Sequence, residues 1–192
     1  MADLTVLIIR HAEKPDPGGD GGIDGSGTPD PKSLTPRGWQ RAGAWVEMFA
    51  PSLSSPAALP KPAAIFASAP ATHAEIAVGN SGSKSRRPLE TVTPLAAKLG
   101  IQVNLGFKKG QESELAAAVS TTNGIALICW QHEDIAAIAT ALAPHVGSIP
   151  GNWPGDRFNL IFKLTRSGHN GDWAFSQLAP VMLQGDSNGV LP

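Results

Sequence analysis

From residue 6 to residue 9 the chain reads Val-Leu-Ile-Ile, and it breaks off at the charged pair Arg10-His11. An uninterrupted apolar, β-branched run is how a strand buried on both faces of a sheet reads, so these residues are expected at the sheet's centre. Residues 15–32 are so dense in glycine, proline and aspartate that no regular element can persist there. They predict a surface loop, without the ligand positions or closing glutamate of a calcium loop. Thr35 and Pro36 then supply an N-cap and a first helical residue, and Ala42, Trp45, Val46 and Phe49 make an apolar stripe for a helix ending near Phe49. Residues 63–67 predict a strand ending near Ser68, followed by a polar stretch over 69–85 without a predicted element. A helix over 88–99 closes at Gly100, and 101–103 begins a third strand. Residues 114–119 predict a helix, 125–130 a fully apolar strand, and 135–142 an Ala-rich helix after Asp134. Residues 157–164 and 173–178 predict an antiparallel hairpin around the turn Ser167-Gly168-His169-Asn170-Gly171.

Strands alternating with helices imply a three-layer α/β/α sandwich around a mostly parallel sheet, with an antiparallel strand at one edge. No linker or repeat interrupts residues 1–192, so a single domain is expected. The 192 residues are 42% hydrophobic, enough for a real core, and the formal charge of −1 gives no overall attraction to nucleic acid or anionic lipid. The single cysteine, Cys129, excludes an internal disulfide, and its apolar neighbours predict a buried thiol. The first residues carry neither a signal-like nor a membrane-spanning segment, so a cytoplasmic protein without a membrane partner is expected. The five tryptophans are assigned to core or rim packing.

Ligands of open α/β sheets bind beyond the carboxyl ends of the strands, where Arg10-His11 and Gln131-His132 are expected. A lone histidine at a strand end is more often structural than catalytic, so the weight lies in what accompanies it. Arg10-His11-Ala12-Glu13-Lys14 is followed by Leu34-Thr35-Pro36-Arg37-Gly38, then by Arg87-Pro88-Leu89-Glu90-Thr91, and finally by Cys129-Trp130-Gln131-His132-Glu133. In this order the segments resemble the histidine phosphatase (phosphoglycerate mutase-like) superfamily, over most of residues 4–142. The resemblance implies a metal-independent phosphomonoester hydrolase of the phosphoglycerate mutase-like fold, with no cofactor. It implies that His11 attacks phosphorus and becomes a transient phosphohistidine, while Arg10, Arg87 and His132 surround the phosphoryl oxygens with positive charge.

A leaving alkoxide also needs a proton. The acid implied is Glu133, directly after His132, with Glu112 as the alternative. Glu133 also has a purely structural reading, since an acid in the first turn of a helix interacts favourably with the helix dipole. Glu13 and Lys14 lie close enough after His11 to meet substrate, although Glu13 can equally pair with Lys14 or Arg41. Ala12 stands where the family has glycine, which requires a negative φ there. The gap from Ser68 to Arg87 is long, so either a loop is inserted or Ser83 takes the serine's place. Arg87, four residues before Thr91, fits the second arginine, and Arg86 does not. Lys84, Arg86, Lys108 and Lys109 are cations that could draw in an anion, or a solvated surface; His73 is expected exposed or on the rim. The expected partner is a small phosphorylated metabolite or a phosphoprotein. A mutase-type phosphotransferase and a non-catalytic phosphate- or partner-binding domain are the alternatives. Substrate identity and oligomeric state are not encoded in any recognisable pattern.

Overall fold

The computed structural model describes residues 3–52, 56–79, 82–168 and 171–192. A six-stranded sheet runs in the order β3-β2-β4-β1-β5-β6, built from β1 (Leu4–Arg10), β2 (Ala64–Ala67), β3 (Val103–Asn104), β4 (Gly124–Trp130), β5 (Ile161–Arg166) and β6 (Trp173–Leu178). β1, β4, β2 and β3 are mutually parallel. β5 runs antiparallel to both β1 and β6, so the reversed strand lies one place in from the edge and β6 is the edge itself. The strands form the expected hairpin; His169 and Asn170 of its predicted turn lie outside the described residues.

Because side chains alternate along a strand, the apolar runs of β1 and β4 serve two cores at once. Val6, Ile8, Ala126, Ile128 and Trp130 pack with Leu115 and Val119 of α4 (Glu112–Ser120) and with Ile135 and Ile138 of α5 (His132–Leu142). Leu7, Ile9, Leu127 and Cys129 face the other way. They meet Trp45 and Phe49 of α1 (Pro36–Phe49) and Val92 and Leu95 of α3 (Arg87–Leu99). Leu7, Ile8 and Ile9 are fully buried, each worth about 1.5–3 kcal/mol relative to exposure, which is why β1 carries no polar residue from Val6 to Ile9. Two helical layers therefore enclose the sheet, and Gly100 ends α3 in the left-handed conformation, φ 67°, that glycine adopts without strain.

Three boundaries differ from expectation for identifiable reasons. A short helix, α2 (His73–Ala77), stands inside the stretch expected to hold no element. Its signal was present as Thr72-x-x-Glu75, a capping box in which each side chain accepts from the other's backbone N–H. α5 begins at His132 rather than near residue 135, so His132 sits in its first turn. Residues 157–160 leave the sheet: the Arg157 carbonyl accepts from Trp153 Nε1 at 2.8 Å and Phe158 lies under a guanidinium, so β5 starts only at Ile161.

Candidate active site

β1, β4 and β2 are parallel and end on one edge of the sheet, while antiparallel β5 begins there. This brings Arg10-His11, Gln131-His132, Ser68 and the segment preceding β5 to a common place, beyond the carboxyl ends where ligands of such sheets bind.

His11 is held from several sides. Its backbone N–H donates to the Trp130 carbonyl at 3.0 Å, tying the end of β1 to the end of β4. Its Nδ1 lies 2.7 Å from the Ala12 carbonyl oxygen. A carbonyl only accepts, so the proton sits on Nδ1 and the lone pair on Nε2. Burial, reinforced by the positive charge of Arg10, pulls the His11 pKa down to about 3, and the ring is neutral at physiological pH. The Ala12 N–H donates to Thr91 Oγ1 at 2.8 Å, and that hydroxyl donates in turn to the Arg87 carbonyl at 2.7 Å. The spacing of Arg87 and Thr91 is thereby explained: one turn of α3 carries both a cation and the hydroxyl that pins the loop after His11. Among the described residues no non-glycine residue has positive φ, so alanine meets the requirement at position 12.

The turn beginning at Leu34 clasps the same loop. The Thr35 N–H donates to the Glu13 carbonyl at 3.1 Å, while the Thr35 side chain caps α1 by accepting from the Gly38 N–H. A Cβ on Gly38 would lie 2.6 Å from the Glu13 carbonyl oxygen, so only glycine lets α1 come this close. Glu90 secures the other end, accepting from Leu34 N–H at 3.0 Å and from the Ser33 hydroxyl at 2.6 Å.

The cations are arranged unequally. Arg10 is completely buried, its guanidinium carbon 3.9 Å from the centre of the Phe158 ring. Nη1 donates to the Gly155 carbonyl at 2.6 Å and more weakly to that of Pro154 at 3.3 Å. Among the described residues, Nε and Nη2 are buried without a partner. Burial lowers the Arg10 pKa only to about 10, so the group remains a cation. Arg87 donates Nε to the Ser33 carbonyl at 3.1 Å and Nη2 to that of Pro31 at 2.6 Å, which leaves Nη1 for another acceptor. The His132 ring is edge-on to His11, 6.4 Å between centroids, and burial together with Arg10 holds its pKa below the ordinary value.

Glu133 Oε2 lies 2.9 Å from His132 Nδ1, too poorly aligned for a hydrogen bond, and Oε1 accepts from Lys109 Nζ at 2.5 Å. Burial pushes this carboxyl up, but Lys109 and His132 outweigh it and leave its pKa below the usual carboxylate value. Glu112 points elsewhere, accepting from Trp130 Nε1 and from the Gly110 N–H, both at 2.9 Å. Glu13 is buried and gives its carboxylate to Arg41 at 2.7 Å and Arg37 at 3.3 Å; Arg41 continues to Asp186 at 2.8 Å. Lys14 is exposed, within electrostatic range of His132. Ser68 is buried at the end of β2 and its hydroxyl accepts from Gln131 Nε2 at 3.1 Å, whereas Ser83 bridges to Pro70 further out. The long gap is thus an excursion carrying α2, not a displaced serine. Lys108 pairs with Glu75 of α2, and His73 is exposed. The Pro154–Phe158 contacts on Arg10 were not anticipated; an arginine-stacking phenylalanine has no signature along the chain. Among the described residues no helix is long and apolar enough to cross a membrane.

No family model matches the sequence, and no curated protein matches it significantly. Solved structures do. A phosphoglycerate mutase from Plasmodium falciparum aligns over 100% of both chains with TM-score 0.55 at 11% identity. The protein histidine phosphatase SixA, solved with tungstate, aligns over 90% of this chain and 95% of its own, with TM-score 0.51 at 14% identity. A mycobacterial glucosyl-3-phosphoglycerate phosphatase covers 92% of this chain and 97% of its own, with TM-score 0.51 at 16% identity. The fold is that of the phosphoglycerate mutase-like histidine phosphatases. Within that histidine phosphatase fold, Arg10, His11, Arg87 and His132 converge at one end of the sheet, with Glu133 beside His132.

Proposed function

We propose that the protein is a metal-independent phosphatase that takes the phosphoryl group of a small phosphorylated metabolite onto His11. The observation that carries this reading is the unsatisfied edge of Arg10. Nε and Nη2 form a guanidinium's parallel two-donor fork, and burying both without acceptors is costly unless a ligand supplies two oxygens. A phosphoryl group has that geometry and the complementary charge. Beside it stands a neutral imidazole with its lone pair on Nε2, the form required for attack on phosphorus.

In the first step Nε2 bonds to phosphorus as the ester P–O bond breaks. The Ala12 carbonyl stabilises the cationic phosphoimidazole through Nδ1–H, and Arg10, Arg87 and His132 hold the phosphoryl oxygens. The departing alkoxide takes a proton from Glu133. Glu133 is ionised more readily than usual in the free protein, but a dianion bound next to it favours the neutral carboxyl, so substrate binding itself arms the acid. In the second step water attacks phosphorus, Glu133 recovers a proton from it, and neutral His11 and phosphate are released. Glu112 is less suited, being committed to Trp130 and Gly110.

Mixing the protein with a panel of radiolabelled phosphate esters and quenching in strong base, in which phosphohistidine survives, should trap label on His11. His11→Ala should lose the label and cut turnover of an aryl phosphate about a thousandfold or more, with the fold intact by circular dichroism. Undiminished turnover would overturn the mechanism. A mutase differs in returning the phosphoryl group to an acceptor hydroxyl, so labelling of His11 by a bisphosphorylated glycerate without net phosphate release would favour it.

A further inference from the structure

The segment after β6, residues 179–192, forms neither helix nor strand, yet it is tied down along its length. Asn159 donates Nδ2 to the carbonyls of Pro180 at 2.9 Å and Ser187 at 2.7 Å, and Arg157 donates Nη2 to that of Gly189 at 2.6 Å. Leu191 exchanges two hydrogen bonds with the Gln177 side chain of β6, both at 3.0 Å. These partners satisfy backbone groups that no helix or ladder takes up. Within the segment, Asp186 turns inward, its side chain only 5% exposed.

Asp186 receives Arg41 in a two-bond fork, Nη1 donating to Oδ2 at 3.0 Å and Nη2 to Oδ1 at 2.8 Å. The N–H groups of Met182 and Leu183 donate to the same Oδ2, each at 3.0 Å, so the carboxylate is fixed by its own turn. Glu13 takes the other edge of Arg41, from Nε at 2.9 and 3.0 Å and from Nη2 at 2.7 Å. The buried guanidinium is therefore gripped on two edges, which fixes its plane. One carboxylate suffices to neutralise it. Desolvation cancels much of the attraction in a buried ion pair, so the second acid is better explained by the orientation it enforces than by stability. What Arg41 orients lies at the site. Glu13 is two residues after His11, in the loop whose backbone Thr91 and Thr35 hold. The Arg41 guanidinium carbon is 5.8 Å from the centre of the Phe158 ring, the ring on which Arg10 stacks at 3.9 Å. The segment after β6 thus reaches Phe158 by two routes, through Arg41 and through the flanking Arg157 and Asn159.

We propose that Asp186 is a positioning residue for the phosphoryl site. It acts through Arg41 on the Phe158 ring, which aims the open Nε–Nη2 fork of Arg10, and on the Glu13 limb of the His11 loop. This rests on the phosphatase reading of that site. Asp186 meets no reacting atom; it limits how far the fork can tilt. Removing its grip on Arg41 leaves a looser fork, so phosphate affinity falls at temperatures where the protein is still folded.

The test is calorimetric binding of inorganic phosphate, well below the Tm of each variant. Asp186→Asn keeps the shape of the side chain but loses its charge and second acceptor, and should bind phosphate about tenfold or more weakly than wild type. Arg41→Lys should lose a similar factor, and the double variant should bind no worse than Arg41→Lys alone, because both act through one guanidinium. In turnover of an aryl phosphate the loss should appear in KM as well as kcat. A segment that only held the fold together would lower the active fraction, and hence kcat alone. Unchanged phosphate affinity in Asp186→Asn, whatever its Tm, or losses that multiply in the double variant, would overturn the proposal. A second readout needs neither ligand nor turnover: the Arg10 Nε–H magnetic resonance signal of the ligand-free protein should be sharp in wild type and broadened in Asp186→Asn. The same signal in both proteins would sink the positioning role alone. Wild-type protein that hydrolyses no ester would sink the phosphatase reading alone, and the Arg10 signal would still decide whether Asp186 sets the fork.

Discussion

Arg10 shows how a single residue can be placed by the fold and left incomplete by it. Its Nη1 edge is fixed by the Gly155 and Pro154 carbonyls and its face by Phe158, so the open Nε–Nη2 edge has a defined direction. A buried side chain free to swing would make a weaker clamp, because ordering it on binding would oppose the gain. Glu133 is different, half exposed and held by Lys109. Its role is readable from leaving groups: Glu133→Gln should slow hydrolysis of an alkyl phosphate by about 10²–10⁴-fold and barely affect an aryl phosphate whose phenolate leaves unaided. Equal losses on both would argue against proton transfer by Glu133. The residue types at positions 10, 11, 87 and 132 were legible along the chain. The pairing of Glu13 with Arg41 was among the readings the sequence offered, although the pair is buried rather than on the surface; the commitment of Glu112 to Trp130 was not, since it depends on a partner brought close by folding.

At the scale of elements, α1 and α3 act as two hands on the loop after β1. α1 contributes the Thr35 cap and the bare face of Gly38; α3 contributes Thr91 and Glu90. Gly38→Ala should therefore do more than its helix propensity suggests. Alanine is normally favoured inside a helix, yet here its Cβ would meet backbone atoms that cannot rotate away. A loss of about 1–3 kcal/mol in urea denaturation is expected, together with reduced kcat as Glu13 and His11 shift. A variant as stable and active as wild type would show that the contact relaxes freely. The missed α2 illustrates a complementary point. Its capping box was written in the sequence, but five residues without a buried side chain leave no apolar period to notice.

At the scale of the whole molecule, the site lowers stability in acid. The His11 pKa is about 3 in the folded protein against 6.5 ordinarily. Below 6.5 the unfolded chain takes up a proton that the folded chain refuses, so stability present above that pH is lost as pH falls toward 3, with a limiting slope of about 1.4 kcal/mol per pH unit. Between about pH 5 and 6.5, before most carboxylates titrate, His11→Asn should flatten this slope in urea titrations. An unchanged slope would place the acid sensitivity elsewhere. The sequence by itself determined the layered α/β architecture, the strand over residues 6–9, the helix capped by Thr35 and the residues at the strand ends, because periodicity, capping and apolar runs act over a few neighbouring positions. Only tertiary structure decided that β5 lies inside β6, that Phe158 supports Arg10, and that Asp186 reaches Arg41. Those relations join residues far apart in the chain, and no local pattern records which distant surfaces will meet when the core closes. The Arg-His pair at the end of β1 announced a site, and its open fork became visible only when the surrounding carbonyls were in place.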